Sequence, residues 1–265
     1  MCRTRLSLVP KNQLTQDDHF VVLIKLMSGL EASEDTIQRA NVLVLWASVG
    51  NSLAAMFWVL YYILKDQNGA FESLRREADR VMGDSKEPLT LEQLDQLVEA
   101  KSAFQEALRL QSGAFHVRDL LKDYVVAPKM TNAEETTGRP TKFLLKKGTR
   151  IMGYAVNNWD EAIFEKPYEF HWKRFAPDEN GVRPSFTDRN GKPLLTPSLP
   201  FGAGSHGCPG RKFIVYEGAA YIAMLVKSFD MRLVSTHYPG VEKESVGMGI
   251  LVPDKDVTIQ LRKRA

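Results

Sequence analysis

Cys208 stands where a cysteine can do chemistry. It lies in Phe201-Gly-Ala-Gly204-Ser-His206-Gly-Cys208-Pro-Gly210, a glycine-laced run that feeds a helical stretch from about Gly210 to Ser228. Glycines let a backbone fold tightly beneath a ligand, while a helix N-terminus and loop N–H groups stabilise a thiolate and tune a metal attached to it. A lone thiolate so placed suits axial ligation of haem iron. The competing reading is an inert cysteine packed beside a helix start. Zinc is a poor fit, because Cys2 is the only other cysteine and His116 and His171 lack ligand spacing to each other or to Cys208.

Two further patterns accompany the cysteine. Glu106-Ala-Leu-Arg109 places opposite charges at i and i+3 on one helix face, where they can pair. In isolation such a pair is an ordinary surface bridge worth under ~1 kcal/mol. Ala47, Gly50, Asn51 and Ala54 fall at i, i+3, i+4 and i+7 of a helix otherwise crowded with Trp46, Phe57 and Trp58. That stripe of small residues leaves a groove, which serves close helix packing or a flat ligand.

The cysteine run matches F-x-x-G-x-H/R-x-C-x-G, and the chain resembles the cytochrome P-450 superfamily, whose haem-thiolate signature this is. Glu106 and Arg109 are similar to the family's E-x-x-R motif. In Phe170-His-Trp-Lys-Arg174-Phe175, Arg174 takes the place of the arginine that joins that pair, although Trp172 and Lys173 stand where Pro and Glu are commonest. The resemblance implies a structural network of Glu106, Arg109 and Arg174 supporting the haem loop. On the long helix the family usually carries A-G-x-D/E-T, whose acid and alcohol help deliver protons to oxygen, whereas here Gly50 replaces the acid and Asn51 the alcohol. Leu45-Trp-Ala-Ser-Val-Gly-Asn51, Met56-Phe-Trp58 and Gly249-Ile-Leu-Val-Pro253 resemble the group of cholesterol and oxysterol 7α-hydroxylases, sterol 12α-hydroxylase and prostacyclin synthase.

The implied fold is mainly α with a small β region, the C-terminal haem-binding part of a cytochrome P-450. Residues 1–265 would form a single but incomplete domain, with residues 200–228 as the cysteine loop and its helix. The implied cofactor is haem, with Cys208 on the iron, Phe201, Gly204 and Gly210 shaping the loop, and His206 and Arg118 on the propionates. Asn51 would orient oxygen or water, and Ala47, Gly50, Ala54, Ala114, Phe115, Val246 and Met248 would line an apolar pocket. The implied reaction is hydroxylation of a sterol or oxysterol with O2 and electrons from an NADPH-dependent reductase, which Lys212 and Lys227 would meet. Endoperoxide isomerisation and an inactive fragment are the alternatives. Family members are about twice as long, so an N-terminal membrane anchor and the helices closing the distal pocket are expected to be absent. Phe57, Trp58 and Tyr61 would then lack partners. The implied location is the cytosolic face of the endoplasmic reticulum.

The composition agrees with an ordinary globular protein. Over 265 residues, 44% are hydrophobic and 25% charged, and 35 Lys+Arg against 32 Asp+Glu leave a net charge of +3. No basic stripe exists for nucleic acid, two cysteines make no disulfide framework, and no secretion signal opens the chain. The uncharged run Val42–Leu64 is long enough to cross a bilayer, but Ser48, Gly50, Asn51 and Ser52 near its centre favour a buried core helix. The patterns predict helices near Phe20–Leu30, Thr36–Lys65, Gly69–Met82 and Glu99–Leu110, and a short one opened by a capping box at Thr90. Glu72, Arg75, Arg76, Glu77 and Arg80 read as a solvated charged face. Strands of one small sheet are expected at Tyr124–Ala127, Lys142–Leu145 and Arg150–Tyr154, with extended pieces near Met231–Val234 and Val257–Leu261. Between them, residues 160 to 207 form a Pro- and Gly-punctuated meander.

Overall fold

The computed structural model describes residues 33–85, 87–127, 142–204, 207–247 and 249–264. The helix expected near Phe20–Leu30 lies outside them. The chain divides into two compact units, Met1–Ala54 and Ala55–Ala265, and the boundary falls inside one helix.

That helix, α1 (Glu34–Lys65), starts where Ser33 accepts the Thr36 N–H at 3.3 Å and where Glu34 and Asp35 complement the helix dipole. It is long and apolar enough to cross a membrane by length and composition alone. Its two halves differ. In the first unit Val42, Leu43, Leu45, Trp46, Val49 and Leu53 are exposed, so the expectation of a core helix fails there. In the second unit Trp58, Val59, Tyr61 and Ile63 are buried. Trp58 is 0% exposed against 62% for Trp46. Trp58 donates its indole N–H to the Leu251 carbonyl at 2.6 Å, and its ring lies 5.9 Å from both Tyr61 and Tyr62 and 5.7 Å from Tyr238. Trp58 and Tyr61 therefore do not lack partners, and half-buried Phe57 also touches both rings.

The second unit is built around α4 (Val98–Gln111), which buries Ala100, Ala103, Phe104, Ala107 and Leu108. Its N-cap, Leu97, has no side chain able to cap. Glu77 of α2 (Ala70–Met82) supplies the acceptors instead, taking the N–H groups of Glu99 at 2.8 Å and Ala100 at 2.9 Å. Burial pushes the Glu77 carboxyl upward, and these two N–H bonds only partly offset it. Arg75 of α2 donates to the carbonyls of Val226 and Phe229 at the end of α5 (Arg211–Ser228). Glu77 and Arg75 thus leave the solvated face expected of them, because helix ends need partners more than water needs charges. Between α2 and α4, the short α3 (Leu91–Gln96) opens on the expected Thr90 capping box with Gln93. α5 approaches α4 at Gly218, where a Cβ would lie 2.4 Å from the Phe104 ring. Glycine there brings the helix that follows Cys208 against the helix that carries Glu106.

Among the described residues the β structure is three separate antiparallel pairs and not one sheet: β1 (Phe115–Asp119) with β4 (Arg150–Tyr154), β2 (Tyr124–Val126) with β3 (Phe143–Leu145), and β5 (Phe229–Leu233) with β6 (Ile259–Lys263). Strand β1 was not expected, because Phe115-His-Val-Arg118 alternates apolar and polar residues over only four positions. Backbone pairing from Phe115↔Tyr154 to Asp119↔Arg150 forms it, and the last pair adds a 2.8 Å salt bridge.

Candidate functional site

Cys208 is half-buried and carries a free thiol. Its amide donates to the Phe201 carbonyl at 2.8 Å, which closes the loop, and Gly207 N–H donates to Gly204 at 3.1 Å. Gly202 and Gly204 sit at φ 69° and 71°, where side chains are strained, so glycine is required by the turn. Gly210 caps α5, and the Arg211 guanidinium donates to the Cys208 carbonyl at 3.0 Å. The sulfur thus emerges at the start of an 18-residue helix. His206 lies outside the described residues.

Glu106 and Arg109 are fully buried on α4. Arg109 makes a two-pronged contact, Nε to Oε2 at 2.8 Å and Nη2 to Oε1 at 2.9 Å. Its Nη1 donates to the carbonyls of Asn158 and Pro167, and the guanidinium lies 4.7 Å from the Phe164 ring centroid. Arg174 donates Nε to Glu106 Oε1 at 2.8 Å, and its Nη1 reaches the Glu165 carbonyl at 2.7 Å. The His171 amide joins the same carboxylate oxygen at 3.2 Å. Asn158 passes the connection forward by accepting the Leu199 amide at 3.4 Å, two residues before Phe201. Two arginines therefore tie one buried carboxylate to the irregular segment that leads into the cysteine loop.

Removing a partner from such a pair strands a charge. Glu106→Ala is expected to cost ~3–5 kcal/mol in denaturant unfolding, because Arg109 stays buried without its counter-ion. Asp119→Ala, which breaks the exposed Arg150 pair, should cost under ~1 kcal/mol. Equal losses would refute the burial argument.

The strand β1 region gathers several of the sequence-predicted residues. Ala114 bridges to Gly247, Gly113 N–H donates to Gly249 at 2.7 Å, and Gly247 N–H returns to Gly113 at 2.8 Å. Gly247 has φ 94°, and a Cβ there would lie 2.7 Å from the Phe115 ring. These contacts bring half-buried Ala114 and Phe115 to the segment carrying exposed Val246, while Met248 lies outside the described residues. Arg118 is exposed on β1, its Nη1 donating to the Val117 carbonyl at 2.8 Å. His116, two residues earlier and so on the same strand face, has a buried Nε2 with no hydrogen-bond partner. The sequence reading weighed His116 only as a zinc ligand and did not place it beside Arg118. The signal, a two-residue spacing to Arg118, becomes visible only once Phe115–Asp119 is known to be a strand.

Ala47, Gly50 and Asn51 are exposed on the first half of α1, and Ala54 is buried. Of the two lysines expected to face a reductase, Lys212 is exposed, but Lys227 is drawn to Asp79 at 3.4 Å.

The groups present fit a haem. A free sulfur stands in a glycine-shaped loop, and a guanidinium and a partnerless imidazole nitrogen share one strand face, where carboxylate groups would satisfy them.

The comparisons with known proteins point the same way. Cytochrome P-450 7B1 of Mus musculus is 34% identical over 231 residues, 83% of this chain and 43% of that protein. The 25-hydroxycholesterol 7-alpha-hydroxylase of Rattus norvegicus is 31% identical over 84% of this chain and 53% of its own length. Prostacyclin synthase of Rattus norvegicus is 28% identical over 91% of this chain and 48% of its own length. The chain spans about half the length of these curated relatives. A crystal structure of a cytochrome P-450 heme domain superposes with a TM-score of 0.64 at 17% identity, covering 88% of this chain and 45% of that one. The cytochrome P-450 family model matches residues 10–261, and with the cysteine loop and the buried Glu106–Arg109–Arg174 network in view, this chain belongs to the cytochrome P-450 family.

Proposed function

We propose that this chain is the haem-holding part of a monooxygenase that hydroxylates a sterol or oxysterol: RH + O2 + NADPH + H+ → ROH + H2O + NADP+. The observation that carries the reading is the free Cys208 sulfur in a loop closed by its own amide on Phe201. A haem held there supplies oxygen activation, with the thiolate pushing electron density toward iron. The chain's own residues do the holding. Gly202 and Gly204 make the positive-φ turns of the loop, and Gly218 seats the following helix on Phe104. Arg118 and His116 would bind the porphyrin carboxylates, and Ala114, Phe115 and Val246 would contribute apolar wall for a substrate with little hydrogen-bonding capacity. On resemblance alone, Asn51 takes the place of the alcohol on α1, and His206 that of a propionate partner. Exposed Lys212 offers a cation to an acidic reductase surface, with electrons drawn from NADPH at the endoplasmic reticulum membrane, where an N-terminal anchor preceding these residues would hold the enzyme.

The relatives include hydroxylases and prostacyclin synthase, so the test must separate oxygen insertion from rearrangement. Incubation of a haem-loaded fusion, in which the N-terminal half of a 7-alpha-hydroxylase relative precedes these residues, with reductase, NADPH, an oxysterol and 18O2 should yield product carrying one labelled atom. Conversion of a prostaglandin endoperoxide without NADPH or O2, and no labelled sterol, would favour the isomerase and overturn the proposal.

A further inference from the structure

Trp172 and Lys173 replace the proline and glutamate common in the family at this point, and the structure supplies them with a partner of their own. Glu99, two turns before Glu106 on α4, accepts Trp172 Nε1 at 3.3 Å on Oε2 and pairs with Lys173 Nζ at 3.0 Å on Oε1. Ser73 of α2 donates to the same Oε2 at 2.7 Å, so the carboxylate is braced from a second helix. One residue past Arg174, the Phe175 amide donates to Ser102 of α4 at 2.9 Å. Residues 171–175 are thus stapled to α4 by Glu99 in the middle and by Glu106 and Ser102 at the two ends.

Resting on the reading of Cys208 as the haem ligand, we propose that Glu99 is a positioning residue for the cysteine loop, acting through Trp172 and Lys173. Lys173 in place of an acid reverses the charge at that position, and Glu99 supplies the matching opposite charge. The route onward is physical contact. Fixing residues 171–174 fixes Arg174 on Glu106, Glu106 orients Arg109, Arg109 holds the Asn158 carbonyl, and Asn158 holds Leu199 ahead of Phe201. Glu99 touches neither substrate nor cofactor in this scheme. Burial opposes ionisation of its carboxyl, but the bonds from Ser73, Lys173 and Trp172 hold it below the ordinary glutamate range. It therefore stays charged through neutral pH.

A charge-swap experiment tests this. Amide hydrogen exchange is followed on peptides covering 171–175 and 201–211 in the haem-free protein, and the thiolate-type carbon monoxide spectrum is followed in the haem-loaded protein. Glu99→Lys should speed exchange severalfold in both peptides and lower the thiolate-ligated fraction, while Glu99→Lys with Lys173→Glu should recover most of each. If Glu99→Lys does not fold, Glu99→Gln, which keeps an acceptor for Trp172 but loses the charge pair, should show the same effects at smaller size. Faster exchange at 171–175 with none at 201–211, or a swap that recovers nothing, would overturn the proposal. A wild-type protein without a thiolate spectrum would instead count against the haem reading, and exchange still decides the coupling.

Discussion

In protein reconstituted with haem, Cys208→Ala is expected to abolish the long-wavelength Soret band of the reduced carbon monoxide complex while leaving the helical fold intact. The sulfur is the group that a thiolate-type spectrum requires, and among the described residues it is the free cysteine. The loop's own geometry survives the substitution. The bond from residue 208 to Phe201 uses a backbone N–H, the positive-φ turns are made by glycines elsewhere, and the Gly218–Phe104 contact lies ten residues further along α5. A mutant that keeps both its circular dichroism and the band would show that another group ligates the iron, and the functional reading would fall with it.

What the sequence disclosed follows from how local each signal is. The cysteine loop was legible because positive-φ turns and a helix start impose glycine at fixed offsets, which a sequence displays directly. The Thr90 capping box and the Glu106–Arg109 pair were legible for the same reason, being bonds within one turn of helix. Long-range satisfaction was not. Nothing local marks Glu77 as the cap of a helix whose own N-cap is leucine, or Arg75 as the partner of carbonyls about 150 positions away. Nor does a tryptophan reveal its surroundings: Trp46 and Trp58 occupy one uncharged run of α1, yet among the described residues it is Trp58 that finds a carbonyl and three tyrosines. Strand β1 escaped because its alternation spans only four residues and its partner lies some thirty-five positions away at Arg150–Tyr154, and the placing of His116 beside Arg118 escaped with it.

The exposed half of α1 carries the last expectation. The chain expressed from Met1 to Ala265 by itself should take up haem substoichiometrically and should not hydroxylate a sterol even with reductase and NADPH. Leu43, Leu45, Trp46, Val49 and Leu53 are all exposed on that helix, and the relatives that the chain matches are about twice as long. At ~25 cal/mol per Å2, leaving a few hundred Å2 of apolar side chain in water forgoes several kcal/mol, comparable with the whole stability of a domain. Turnover also depends on holding the substrate in register with the reacting centre, and a face left open to water imposes no orientation. The control is a fusion that places the N-terminal half of a 7-alpha-hydroxylase relative ahead of these residues. Covering the helix face should raise haem uptake toward one per chain and protect the Val42–Leu53 amides from exchange. Stoichiometric haem and NADPH-dependent product from the 265-residue chain alone would refute the argument, because that exposed face would then be no obstacle to catalysis.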